Sequence, residues 1–305
     1  MSRTSFNSVQ KYFGKLKHLI LTICVSIIIV GVCYIIFVPV IGIISNSFMH
    51  ISDLSNPLIF LIPENFTLDN ISSAFAHMEY VRTLLVTLGF SLGFAFMHVV
   101  IASLVGYGFA RFRFPGSAFL FGLVILSIVV PVQTYMVPMF MQFRFFMGGN
   151  INLLGSYWTI GLLTLSGVGL RSGLYIYIFR QFFRGLPKEI EEAAFIDGAG
   201  TVNTYLKVML PNSTPAIVTV LLFAFVWHYN DTFYTSLLVP GNRLMAVMLS
   251  MVGSVFQMVE NIQDPTHIQL IVFSGVLLTI APILIIYMIL QRYFVEGLER
   301  SGIVG

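Results

Sequence analysis

Charge is what this sequence has least of. Only 10% of its 305 residues are Asp, Glu, Lys or Arg, against about 25% in a soluble domain, so water is not the main solvent of the fold. Cysteine is nearly missing as well. Cys24 and Cys33 lie nine residues apart in one apolar run, about 13 Å along a helix axis, which excludes an intrachain disulfide. The six histidines show no paired H-x-x-x-H or Cys/His spacing, and no metal site is expected. There is no G-x-x-x-x-G-K-[ST] phosphate loop, so the chain is not expected to hydrolyse ATP itself. No nucleophile, base and oxyanion donor fall together, which leaves an enzyme reading without support. The net charge of +3 is spread over short basic clusters between apolar runs, a pattern unsuited to a nucleic-acid face.

Apolar residues, by contrast, make up 57% of the chain. They form six runs, near residues 19–45, 83–110, 116–141, 157–179, 213–239 and 266–290, each long enough to cross a hydrocarbon layer of ~30 Å. The first is longer than the ~7 to 15 residues of a signal-peptide core and has no small-residue cleavage site after it, so it reads as a retained anchor. The expectation is an all-α polytopic membrane protein with six transmembrane helices. Residues 1–18 form an N-terminal segment, 19–291 the membrane domain with a polar loop at 180–212, and 292–305 a tail.

Six spans place both termini on one side. Arg3, Lys11, Lys15, Lys17, Arg111, Arg113, Arg180, Arg184, Lys188, Lys207, Arg292 and Arg300 all fall on that side, twelve of the sixteen basic residues. Short cytoplasmic loops carry such an excess, so both termini are expected to be cytoplasmic. The first loop on the other side, about 46–80, holds Pro57, Pro63 and four acids; it is either a partner contact or a solvated loop.

Within the runs, Gly89/Gly93 and Gly169/Gly173 have the small-xxx-small spacing of close helix packing. Pro131 and Pro138 each remove a backbone hydrogen bond and should kink or end the third helix. Arg171 stands inside the fourth run, where a charge costs at least ~2.5 kcal/mol unless it faces a cavity or a partner. The fifth run carries Trp227-His228-Tyr229-Asn230-Asp231, some 24 Å along a helix from Pro211. Trp227, Tyr229, Asn230 and Asp231, with Arg171, are candidates for a substrate pathway, since aromatic faces and amide or carboxylate groups suit sugars. An interfacial aromatic belt accounts for the same residues.

The longest polar insertion on the basic side starts at Arg180. Pro187 sits where a helix can begin, and Lys188 to Ile196 reads as two helical turns with Glu189, Glu191 and Glu192 at the positive end of the dipole. Gly198 and Gly200 should end it, and a second short helix over 201–209 should lead to Leu210 and Pro211. A short helix with small Ala193 and Ala194 has the shape to enter a groove on another protein; an ordinary surface helix fits the residues equally.

Glu192-Ala193-Ala194, three further residues, Gly198, nine further residues and then Val208-x-Leu210-Pro211 resembles the EAA loop of permease subunits of ABC importers. Ala110-Arg111-Phe112-Arg113-Phe114-Pro115-Gly116, Leu186-Pro187-Lys188-Glu189 and Gln291-Arg292-Tyr293-Phe294-Val295-Glu296-Gly297-Leu298 are similar to the carbohydrate-uptake branch, the second permease of maltose-type systems. Val208 stands where that family has Ile, and Phe195 and Gly200 occupy positions often polar or bulkier. The resemblance implies the type I ABC importer permease fold and a sugar or oligosaccharide substrate. It also implies a coupling helix docked in an ATPase through Glu192, Ala193, Ala194, Asp197, Gly198, Leu210 and Pro211. The implied partners are a second homologous permease, two ATPase subunits that hold the ATP and Mg, and an extracytoplasmic solute-binding protein, with no cofactor on this chain. The alternative is a secondary transporter or channel, which calls for membrane carboxylates and inverted repeats; the runs from Leu19 to Phe179 contain no acid.

Overall fold

The computed structural model describes residues 3–56 and 61–302, with side chains at 15, 17–54, 56, 61–289 and 291. Pro57 and the side chains of Arg3, Lys11, Arg292 and Arg300 lie outside the described residues, as do those of 293–298. In chain order the helices are α1 (Arg3–Ser47), α2 (Asp69–His77), α3 (Tyr80–Arg111), α4 (Ser117–Val129), α5 (Met136–Arg144), α6 (Tyr157–Leu165) and α7 (Ser172–Gly185). They continue with α8 (Glu189–Ile196), α9 (Thr201–Thr204), a π-helical turn at Tyr205–Met209, α10 (Leu210–Asn212), α11 (Thr214–Tyr229), α12 (Phe233–Leu238), α13 (Met245–Glu260) and α14 (Pro265–Gly302). Extended pairing among the described residues is limited to two isolated bridges.

The chain divides into two compact units, Met1–Ala74 with Phe256–Leu277, and Phe75–Val255 with Leu278–Gly305. In the first unit the apolar stretch Lys17–Ser47 of α1 is uncovered over most of its length, and only its last turns, with Ser45 and Ser47, are buried. A helix apolar on every side is matched to hydrocarbon, and Cys24 and Cys33 are exposed and unpaired on it. The loop that follows is ordered by polar anchors. Asp53 is 2% exposed, and its carboxylate accepts the Asn65 backbone N–H at 2.8 Å and the Asn65 side-chain amide at 2.6 Å. Asn70 donates to the Met49 carbonyl at 2.8 Å, and Phe48 stacks on Phe66 at 4.9 Å.

The second unit is built on α3, whose main contacts are with α7 and α11. A Cβ on Gly106 would stand 2.6 Å from the Phe179 Cβ and 3.0 Å from the Arg180 nitrogen, so this glycine sets how closely α3 and α7 approach. Gly89 and Gly93 face open space in this chain. Gly169 and Gly173 do not share a helix: the first lies ahead of α7 and the second in its first turn. A second core surrounds Phe90, with Met139, Phe143, Ile160, Leu238 and Leu244.

Three of the six apolar runs are single helices long enough to span: α1 through Lys17–Ser47, Tyr80–Arg111, and Pro265–Ile289 of α14. The other three are broken, contrary to an expectation of one helix per run. In the third run, Pro131 has no N–H to continue α4 and holds Val130 in extended geometry (φ −67°, ψ 121°). Pro138 then falls in the first turn of α5 and kinks nothing. In the fourth run the break spans 166–171, with Gly167 (φ 74°) and Arg171 (φ 60°) left-handed. In the fifth, the Asp231 carboxylate accepts the N–H groups of Tyr234 and Thr235 at 3.2 and 2.8 Å. It therefore starts α12 afresh and does not let α11 run on. The apolar helix α13 is an addition to the six runs.

Two outcomes follow. Gly106→Val should lower stability by about 1–3 kcal/mol through overpacking, while Gly89→Ala stays near neutral; thermal unfolding in detergent compares them. Asparagine contacts, first the Asn65 backbone N–H, hold the Asp53 carboxyl below its ordinary 3.8. A depressed folded pKa means that stabilisation of the loop is present above 3.8 and is lost as pH falls through the lower folded value. Amide protection at Asn65 and Thr67 should fall in that acid window, and Asp53→Asn should remove the dependence.

Candidate functional site

The three helix breaks meet around one cavity of about 780 Å³, within the roughly 300–1,000 Å³ range of ligand pockets. Val130 to Gln133 come from the first break, Val168 to Arg171 from the second, and Asn230 and Asp231 from the third. Irregular backbone at membrane depth is tolerated where it lines such a cavity. The level is set by helix length: α7 has 14 residues and α11 has 16, so the cavity lies about 20 Å from their loop ends.

Four of the five candidate pathway residues come together here. The Arg171 guanidinium lies 4.3 Å from the centroid of the Trp227 ring, a cation–π contact. Its backbone is held at φ 60°, ψ 16°, a left-handed conformation that costs about 1–3 kcal/mol for a residue with a side chain and concentrates at functional positions. Asn230 lines the wall and donates to the Val226 carbonyl at 2.9 Å. Asp231 lines it too, with both carboxylate oxygens turned to the start of α12. Tyr229 does not: it is fully buried, and its hydroxyl donates to the Thr279 carbonyl at 3.0 Å. Tyr135 and Tyr234, with hydroxyls 3.2 Å apart, join the lining. Beside the cavity residues on α7 and α11, His98 and His228 pack ring to ring at 5.2 Å, and Ser172 Oγ is 3.3 Å from His98 Nδ1. Stacking surface, a cation and amide groups are the chemistry that recognition of a hydroxylated ligand calls for. Among the described residues no group of three His, Cys, Asp or Glu could hold a metal ion.

The second site is the loop at the other end of α7 and α11. Helix α8 ends in a Schellman motif, with Ala199 N–H on the Ala194 carbonyl at 2.9 Å and Gly198 N–H on the Phe195 carbonyl at 3.0 Å. Gly198 takes φ 82°, which explains the glycine; Gly200 is extended (φ −73°, ψ 163°) and has no such need. The chain from Thr201 to Asn212 then bends by 77° into α11, and Leu210 and Pro211 sit at that bend, outside α8.

The two faces of α8 differ sharply. Glu192, Ala193, Phe195, Ile196, Asp197 and Gly198 are exposed, Ile196 at 85%. Ala194 is buried against its own chain, and so is Glu191, at 8% exposure. The Glu191 carboxylate lies 2.9 Å from Arg111 Nε and accepts the Tyr107 hydroxyl at 2.5 Å. Arg111 also donates to the Leu186 carbonyl at 2.9 Å. One helical turn back, Ser103 and Tyr205 share a hydroxyl contact of 2.7 Å, and Tyr107 packs on Tyr205 at 5.1 Å. Ser103, Tyr107 and Arg111 thus form an i, i+4, i+8 stripe on α3 that grips α8 and the π turn. Sequence reasoning assigned none of these roles. The stripe's spacing was a signal, but which of three neighbouring glutamates turns inward was not.

A family described as "Binding-protein-dependent transport system inner membrane component" matches residues 98–300, which includes the stripe, the cavity and the loop. The chain belongs to this family. It is a multi-pass permease component of a transport system and not an enzyme. The alpha-glucoside transport system permease protein AglG of Rhizobium meliloti is 28% identical over 80% of this chain; the match covers 62% of AglG, less than two thirds of its length. The arabinooligosaccharides transport system permease protein AraQ of Halalkalibacterium halodurans is 26% identical over 90% of this chain and 95% of that protein. A bacterial ABC transporter involved in the import of the acidic polysaccharide alginate has a subunit of the same fold. Its TM-score is 0.65 at 20% identity, covering 96% of this chain and 99% of that one. The fold is accordingly that of the type I importer permeases.

Removing one partner of the buried Arg111–Glu191 pair leaves the other charge uncompensated, a loss of about 3–5 kcal/mol. Arg111→Met alone should therefore lower the unfolding temperature in detergent strongly, and the Arg111→Met/Glu191→Met double variant should recover most of the loss. Additive single effects would show that the pair is not coupled.

Proposed function

We propose that this permease carries a saccharide across a prokaryotic cytoplasmic membrane as one half of an ATP-driven importer. A second homologous permease completes the pathway, two ATPase subunits holding ATP and Mg dock from the cytoplasm, and an extracytoplasmic binding protein delivers the ligand. Both termini and the α8 loop face the cytoplasm, in line with the side that twelve basic residues share. The loop ahead of α3 is the contact offered to the binding protein. Relatives whose names carry alpha-glucoside and arabinooligosaccharide transport support a sugar as the ligand, as does a cavity with Trp227, Tyr135 and Asn230 in its wall.

The observation that carries the coupling step is the two-faced α8. Its outer face, with Glu192, Ala193, Ile196, Asp197 and Gly198, is free to enter a groove on the ATPase. Its inner face is tied to α3 by a buried ion pair. A push on α8 is therefore delivered to α3 through Glu191 and Arg111, and to α11 through the bend at Leu210 and Pro211. Helix α11 ends at the cavity wall, so closure of the ATPase pair moves Trp227 and Asn230 with respect to the pathway. The Schellman turn at Gly198 keeps the outer face at a fixed angle during that push.

With Cys24 and Cys33 replaced by serine, Ile196→Cys should crosslink to a cysteine in the ATPase groove in native membranes, with a yield that changes between ATP-bound and nucleotide-free states. Exclusive contact of Ile196 with the exterior or with lipid would sink the coupling assignment. Gly198→Val forces a side chain into left-handed backbone. It should reduce ATP-dependent uptake at least tenfold while the permease pair still assembles.

A further inference from the structure

We infer that the cavity selects saccharides that carry a carboxylate, such as uronosyl units, with Arg171 as the group that reads the charge; this rests on the saccharide reading above. The cavity holds one cation and one acid. Asp231 is committed, since its two oxygens accept the Tyr234 and Thr235 N–H groups and its charge is spent on the first turn of α12. Arg171 has no such partner. Among the described residues its guanidinium makes no ion pair with any carboxylate, and it is exposed at the cavity wall with one face on the Trp227 ring.

A neutral sugar gives no reason to keep a strained, left-handed arginine at membrane depth, because amides and aromatic rings recognise hydroxyls without the cost of burying a charge. A carboxylate does. Guanidinium forks bind carboxylates through two parallel hydrogen bonds, a geometry that ammonium groups do not reproduce. The centroid of the Trp227 ring lies 4.3 Å from the guanidinium carbon, and the N–H groups, which pair with no carboxylate among the described residues, are left for the ligand. The same indole, half-exposed, stays beside the sugar ring that bears the acid. Tyr135, Tyr234 and Gln133 are at hand in the same wall for the hydroxyls.

The test uses the assembled transporter in nanodiscs and two probes of the same linkage that differ only at C6, trigalacturonate with carboxylates and the galactose trisaccharide with hydroxymethyl groups, with binding measured by equilibrium dialysis. The wild type should bind trigalacturonate at least tenfold more tightly, and the preference should shrink as salt rises. Arg171→Asn, chosen because asparagine tolerates left-handed backbone, should weaken trigalacturonate binding far more than neutral binding and so erase the preference; Arg171→Lys should retain only part of it. Equal binding of both probes by the wild type overturns charge selection while the saccharide reading stands. Equal weakening of both probes by Arg171→Asn makes Arg171 a structural residue and overturns the inference as well. If the wild type binds neither probe, the saccharide reading itself fails and takes this one with it.

Discussion

A peptide N–H or C=O left unpaired in hydrocarbon costs several kcal/mol, roughly the stability of a small domain's weakest element. A membrane helix can therefore stop only where protein or an enclosed cavity supplies partners. In this chain three apolar runs stop at one level, at Pro131, at Gly167 to Arg171 and at Asn230 to Asp231. Each break is a local matter of a missing N–H, a left-handed turn or a competing carboxylate. Their shared level is not local. It makes a cavity with a few polar groups set in a largely apolar wall, a place where freed backbone and a charged Arg171 are tolerable.

The loop end of the same helices meets a different constraint. There, in the coupling role proposed above, a short helix has to offer one face to another protein and still move as part of the bundle. The chain achieves this by turning Glu191 inward onto Arg111 and Tyr107 while Glu192 stays outside. A buried ion pair of this kind contributes little net stability against an apolar alternative, but its partners cannot be separated cheaply. That asymmetry suits a mechanical link. Gly106 adds to it by letting α3 lie against α7, so that α3, α7 and α11 act on the cavity together.

Much of this was legible from residues alone. The apolar runs, the loop with its small helix, and Arg171 with the Trp227 to Asp231 patch all stand out because charge in hydrocarbon is costly and conspicuous. Tyr229 was misplaced for an equally physical reason: on a helix it is two residues from Trp227, about 200° round the axis, and it faces the Thr279 carbonyl on α14. Hydropathy also treated Gly116 to Met141 as one span, since an average over a window does not register a proline's missing donor.

By itself the sequence determined that the chain lives in a bilayer, where its apolar runs lie, and which polar loop carries a short helix, because each of these depends on composition or short-range spacing. Only the tertiary structure decided that the three breaks share a cavity, that Arg171 rests on Trp227, and that Glu191 and not Glu192 holds α8 to α3. Those facts depend on the rotation of one helix against another, and side chains more than fifty residues apart meet only once the packing has set that angle.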